Sequence, residues 1–186
     1  MSVHAINQTR SDHPGLSVVP DLVRERTVDA DSFRSIFRRH AAGVVVITAD
    51  AGDGPAGFTA TSLVSVSLLP PLVSFSIAAT ASSWPTVNQA DTVVINFLDA
   101  GQHEIAGRFA TSGIDRFAEP TRWSRLTTGE PVLDEAPSYL RGLVEHRFAV
   151  GDHHIVVARL DTHAERREHE PLLYHDGRYV TTHRPA

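Results

Sequence analysis

Hydroxyl side chains crowd one stretch of this sequence. Thr59, Thr61, Ser62, Ser65 and Ser67 fall close together, and Ser82-Ser83 follow at a predicted helix start. Hydroxyls and free N–H groups at a helix start can hold a phosphate without lysine. Serine and threonine also suit strands and caps in their own right, so spacing alone leaves both readings open. A second candidate is His153-His154, directly after Gly151-Asp152 at a tight turn. Neighbouring residues on a strand point to opposite faces, so only one of the two can face a pocket. A turn histidine bonded to its own loop is the alternative.

Other patterns exclude chemistry. Gly52-Asp53-Gly54-Pro55-Ala56-Gly57 matches the spacing of a dinucleotide fingerprint, which must open a helix. Here Phe58 to Val64 favour strand and no acidic residue follows until Asp91, so the glycines read as a hairpin loop. The chain has no cysteine, which removes disulfides, thiolate metal sites and a cysteine nucleophile. Its 11 histidines include no H-E-x-x-H and no set with metal-ligand spacing. G-x-S-x-G is also missing, which argues against a hydrolase elbow.

The elements that must position these groups are mostly strands. Asp29 or Asp31 can cap a short helix carrying Phe33, Ile36 and Phe37 on one face, ended by Gly43. Val44 to Thr48, Phe58 to Ser67, Leu72 to Ile77 and Val93 to Leu98 read as strands, with Pro70-Pro71 as a divider. Ser82-Ser83-Trp84-Pro85 opens a second helix and His103 to Phe109 forms a third. Tyr139 to Val150 and His154 to Leu160 read as long strands. Asp176-Gly177 marks a two-residue hairpin turn. Roughly six to eight strands with few helices suggest a barrel or sandwich.

A length of 186 residues suits one domain, read here as residues 31–186 behind an N-terminal arm over 1–30. That arm lacks the apolar segment of a signal peptide and reads as a mobile arm or a strap on a partner subunit. The uncharged stretch from Gly54 to Ala90 is broken by Pro70-Pro71 and rich in Ser and Thr, unlike a membrane span. A net charge of −5 without a basic run argues against nucleic acid. The absence of cysteine fits a cytoplasmic protein.

An ordered set of short segments resembles the short-chain flavin reductases. It runs Gly57-Phe58-Thr59-Ala60-Thr61-Ser62, Ser65-Val66-Ser67, Pro70-Pro71-Leu72-Val73, Ser82-Ser83-Trp84 and Asn96-Phe97-Leu98. It continues through Arg108-Phe109-Ala110, Asp115-Arg116-Phe117, Gly151-Asp152-His153 and Pro171-Leu172-Leu173-Tyr174. The resemblance implies a mainly β, Greek-key-like, FMN-binding split barrel with a few short helices, usually a homodimer. It implies hydride transfer from NADH or NADPH to FMN or FAD, often to supply a separate monooxygenase.

Carried over by position, the resemblance implies that Gly57, Phe58, Thr59, Thr61 and Ser62 contact the flavin ring and ribityl-phosphate chain. Ser76, Ile77 and Ala78 would line the ring, Ser82 and Ser83 would hold the phosphate, and Arg108 and Phe109 would complete the pocket. His153 would sit beside the nicotinamide, with Pro171, Leu172, Leu173 and Tyr174 in the same wall. Two departures stand out. Ala79 to Ser83 lacks the base often found there, a role open to Arg108. Ala158-Arg159 also replaces a common glycine and acidic residue. The rival reading is a non-catalytic flavin-binding module: a sensor, carrier or accessory subunit.

Overall fold

The computed structural model describes residues 27–182; most of the expected arm lies outside them. Helix α1 (Ala30–Phe37) begins where Asp29 Oδ1 accepts hydrogen bonds from the backbone N–H groups of Asp31 (3.1 Å) and Ser32 (2.9 Å). It ends at Arg38, well before Gly43, and buries none of its residues. The strands that follow are β1 (Ala42–Gly43), β2 (Val45–Asp50), β3 (Pro55–Ala60), β4 (Val64–Leu68) and β5 (Pro71–Ala78). Helix α2 (Trp84–Gln89) leads to β6 (Thr92–Phe97), and α3 (His103–Ala110) to the small hairpin β7 (Trp123–Arg125) and β8 (Pro131–Leu133). The long hairpin β9 (Ser138–Val150) and β10 (His153–Glu165) precedes β11 (Leu173–His175) and β12 (Arg178–Val180).

Two turns follow the sequence reading. Gly52 and Gly54 take φ of 104° and 111° between β2 and β3, and Asp50 Oδ1 accepts both of their N–H groups. A strand, not a helix, follows these glycines, so they form a hairpin loop and not a dinucleotide fingerprint. Asp176 and Gly177 both take positive φ, 48° and 78°, the geometry of a type I′ hairpin. The stretch Phe58 to Ser67, by contrast, is not one strand: it breaks at residues 61–63 into β3 and β4. With such short elements included, the described residues form twelve strands rather than six to eight.

That break closes the fold. Seven strands pair antiparallel in the order β3-β2-β6-β9-β10-β5-β4, a non-sequential, Greek-key-like arrangement. Flat, such a sheet would hold its edges about 29 Å apart, six spacings of about 4.8 Å. Yet β3 and β4 are those edges, and the few residues between Ala60 and Val64 reach at most about 14 Å. The sheet must therefore curl into a barrel with an unpaired seam between β3 and β4. The result is the mainly β, split barrel that the resemblance implies.

Two apolar clusters fill the molecule. The barrel interior holds Ile47, Phe58, Phe75, Ile77, Ile95 and Val156, with Val87 of α2 packed at one end. Outside the barrel wall, Val44 and Val46 pack with Ala106, Phe109, Leu133 and Leu172 beneath α3. The buried Asn96 side chain ties these layers: it donates to Val46 O (3.0 Å) and accepts from the Leu133 N–H (2.9 Å). Among the described residues, no helix is long and apolar enough to cross a membrane.

Candidate functional site

The seam carries a cavity of about 380 Å³. It collects Phe58, Thr59, Thr61, Ser62, Ser76, Ile77, Ala78, Ser82, Ser83, Phe109 and His153, eleven of the residues singled out from the sequence. Gly57 lies directly behind it. A Cβ there would meet Phe109 Cε1 at 2.7 Å and the Ile47 carbonyl at 3.0 Å, so only glycine lets β3 and α3 approach this closely.

The hydroxyls divide by what they already hold. Thr59 Oγ1 donates to Ala106 O (2.6 Å) and binds β3 to α3. Ser62 Oγ donates to Ser76 O (3.2 Å) and accepts from the Ser76 N–H (2.9 Å), which staples the seam link to β5. Ser83 Oγ does not cap α2; it donates to Gly57 O (2.7 Å). A hydroxyl has one proton to give, so these three are committed to the protein backbone. Ser82 accepts a hydrogen bond and keeps its proton for a ligand, and the Thr61 hydroxyl has no partner among the described residues.

The positive charge comes from a residue the sequence reading had not assigned to the site. Arg116 Nη1 donates to Ser82 Oγ (3.1 Å) and Ser83 Oγ (3.2 Å), and its Nε donates to Thr111 O (3.1 Å). Burial pulls its pKa below the usual guanidinium value, yet an arginine in water-accessible protein stays charged at neutral pH. Among the described residues no carboxylate lies within ion-pair distance of it. A partly buried cation with hydroxyls beside it and no described counter-ion is suited to an anion.

Arg108, expected in the pocket, is turned away from it. Its guanidinium donates to the carbonyls of Asp115, Arg116, Ala118 and Glu119, and it lines a separate cavity beneath α3. Arg116, not Arg108, thus stands where the missing base of Ala79 to Ser83 was sought. The one sequence signal for it was the Asp115-Arg116-Phe117 segment.

His153 is half-exposed at the cavity rim, opposite Ala78 in the strand ladder. Its Nδ1 lies 2.7 Å from Asp152 Oδ1, which fixes the ring's orientation. The hydrogen bond and charge of His153 hold the exposed Asp152 carboxyl below its usual pKa. His154 takes the opposite face, as alternation requires, and stacks on Trp84 at 3.7 Å and 10°.

Pro171 to Tyr174 do not line this cavity within the chain. Pro171 bridges to Asp99, Leu172 is buried in the cluster beneath α3, and Leu173 and Tyr174 pair with β1 and β12. Their place follows from the backbone bonds of Leu172 to Leu98 (3.0 Å) and Val44 (2.9 Å), which clamp the segment to the far layer. Ala158 and Arg159 are equally removed: Ala158 is buried in the barrel core and Arg159 Nε donates to Glu145 (2.6 Å).

The residues present fit a flavin mononucleotide: Arg116 and Ser82 for a phosphate, Thr61 for a polyol, Ile77 and Ala78 as an apolar floor for a ring. An antiparallel barrel with such a seam is a mainly β protein with a polar cavity at its open edge. The chain belongs to the flavin reductase like domain family, whose model matches residues 37–183. It is 45% identical over 177 residues to an NADH:FMN oxidoreductase of Rhodococcus qingshengii, covering 93% of this chain and 91% of that one. It is 30% identical to the reductase subunit of a flavin-dependent monooxygenase from Rhodococcus jostii, covering 85% and 80% of the two chains. A flavin reductase domain protein from Arthrobacter sp. FB24 superposes with a TM-score of 0.80 at 33% identity, over 84% of this chain and 97% of that one.

Proposed function

We propose that the protein is an NAD(P)H:flavin oxidoreductase whose flavin occupies the seam cavity, with FMN as acceptor and NADH as donor. The observation that carries the site is the uncompensated Arg116 among hydroxyls, with His153 across the same cavity. Bound there, a flavin supplies the acceptor for a hydride from the nicotinamide. Arg116 and Ser82 take the phosphate, Thr61 the polyol, and the Ser76-Ile77-Ala78 edge the ring. His153, oriented by Asp152, steers the carboxamide or supplies a proton.

The relative in Rhodococcus jostii is a monooxygenase subunit, which supports a separate oxygenase that consumes the reduced flavin. Homodimerisation is supported by apolar side chains left exposed on edge strand β4 (Val64, Val66, Leu68) and on α1 (Phe33, Ile36, Phe37). Light scattering on purified protein tests this: a monomer at micromolar concentration argues against it. Reliance on a diffusible nicotinamide donor supports a cytoplasmic setting.

The activity is tested by the loss of 340 nm absorbance with NADH or NADPH and FMN or FAD in air. Rapid oxidation that needs both protein and added flavin is expected, fastest with NADH and FMN. Flavin binding without turnover would favour the non-catalytic module.

A further inference from the structure

Loop 111–122 carries Arg116 into the seam cavity, and one side chain of α3 gathers four of its carbonyls. Arg108 Nη2 donates to Asp115 O (2.8 Å), Ala118 O (3.0 Å) and Glu119 O (3.2 Å), while Nε donates to Arg116 O (3.2 Å). A planar guanidinium presents its donors in a fixed fork, so four carbonyls grouped around it set the path of the chain. No described carboxylate pairs with Arg108.

Further ties act on the same stretch, among them Trp123 Nε1 donating to Phe117 O (3.0 Å). Thr121 Oγ1 donates to the same Arg116 carbonyl (2.7 Å), and Asp115 Oδ1 accepts the N–H groups of Phe117 (2.9 Å) and Ala118 (3.2 Å). The Phe117 ring meets Phe109 and Trp123 edge-on, each at 5.2 Å. Arg108 and Phe109 are successive residues of α3, one holding the loop's carbonyls and the other its aromatic anchor.

We propose that Arg108 is a positioning residue for phosphate recognition: by gathering these four carbonyls onto α3 it holds the loop so that Arg116 stands beside Ser82 and Ser83. This rests on the reading that the seam cavity binds the flavin phosphate. Arg108 touches no flavin. Without it, the loop gains freedom and Arg116 is no longer preorganised beside the phosphate position.

The test compares FMN with riboflavin, which lacks only the phosphate. Dissociation constants for both are measured by flavin fluorescence quenching on the full chain, for wild type, R108Q, R116Q and the double variant. Wild type is expected to favour FMN over riboflavin. R116Q is expected to reduce that preference at least tenfold, and R108Q at least fivefold, with riboflavin affinity in R108Q within twofold of wild type. The double variant is expected to discriminate no worse than R116Q alone, because Arg108 acts through Arg116.

Equal losses of FMN and riboflavin in R108Q would make Arg108 merely structural. Fully additive losses in the double variant would make it an independent contact; either result overturns the proposal. If R108Q does not fold, R108K decides: it keeps the charge and stem but not the fork, so an intermediate loss of preference is expected and an unchanged preference refutes the proposal. A wild type that binds neither ligand would instead defeat the flavin reading itself.

Discussion

Two cavities flank α3 and loop 111–122, and they differ in chemistry more than in size. The seam cavity measures about 380 Å³ and the one beneath α3 about 430 Å³. In the seam, Arg116 meets only neutral oxygens, two of them the Ser82 and Ser83 hydroxyls, and no carboxylate lines the cavity. Beneath α3, Arg108 donates to four backbone carbonyls, and Glu104 and Glu135 balance the charges of Arg108 and Arg122. The larger volume is therefore the poorer site for a phosphate. What separates them is charge: carboxylates line the cavity beneath α3 and none lines the seam.

The contrast can be broken at Arg116 first. R116Q is expected to cost FMN binding about 1.5–3 kcal/mol, a loss of roughly 10- to 150-fold, because a charge-assisted contact disappears. Flavin titration reads this directly, and an unchanged dissociation constant would remove the phosphate from the seam. Gly57→Ala is expected to lower stability by about 1–3 kcal/mol, since its Cβ collides with Phe109 and the Ile47 carbonyl. Thermal or denaturant unfolding measures it, and a neutral result would mean that β3 and α3 separate freely.

His153→Ala is expected to slow NADH-dependent flavin reduction about tenfold or more while FMN affinity stays nearly constant. Equal losses in rate and affinity would make His153 a structural residue. Thr61→Val is expected to weaken FMN and riboflavin alike by about 0.5–1.5 kcal/mol through one lost neutral hydrogen bond. Selective loss of FMN would place Thr61 at the phosphate instead. The smallest effect is expected at Arg122→Gln beneath α3, with FMN binding within about twofold of wild type. A large loss there would reverse the ranking of the two cavities.

Much of this arrangement was legible in the residues. Asp176-Gly177 and the turn at Gly52 and Gly54 announced themselves because the required positive φ selects for such residues locally. Alternation along β10 separated His153 from His154 in the same way. The seam was not legible: Thr61, Ser62 and Leu63 have strand-like character, and the break arises because the two sheet edges must meet. Nor could sequence distinguish Arg108 from Arg116. Both are arginines in family-like segments, and their directions depend on where the carbonyls of residues 115–119 come to lie. Pro171 to Tyr174 lie outside the cavity within the chain for a similar reason, since long-range pairing with β1 and Leu98 draws them into the other layer.

The most direct test is a crystal structure of the protein with FMN. The expected result places the phosphate within hydrogen-bonding distance of Arg116 and Ser82, with the ring against Ser76, Ile77 and Ala78 and one edge open toward His153. FMN seated beneath α3, among Glu104, Ile105 and Arg108, would contradict the assignment of the seam as the flavin site.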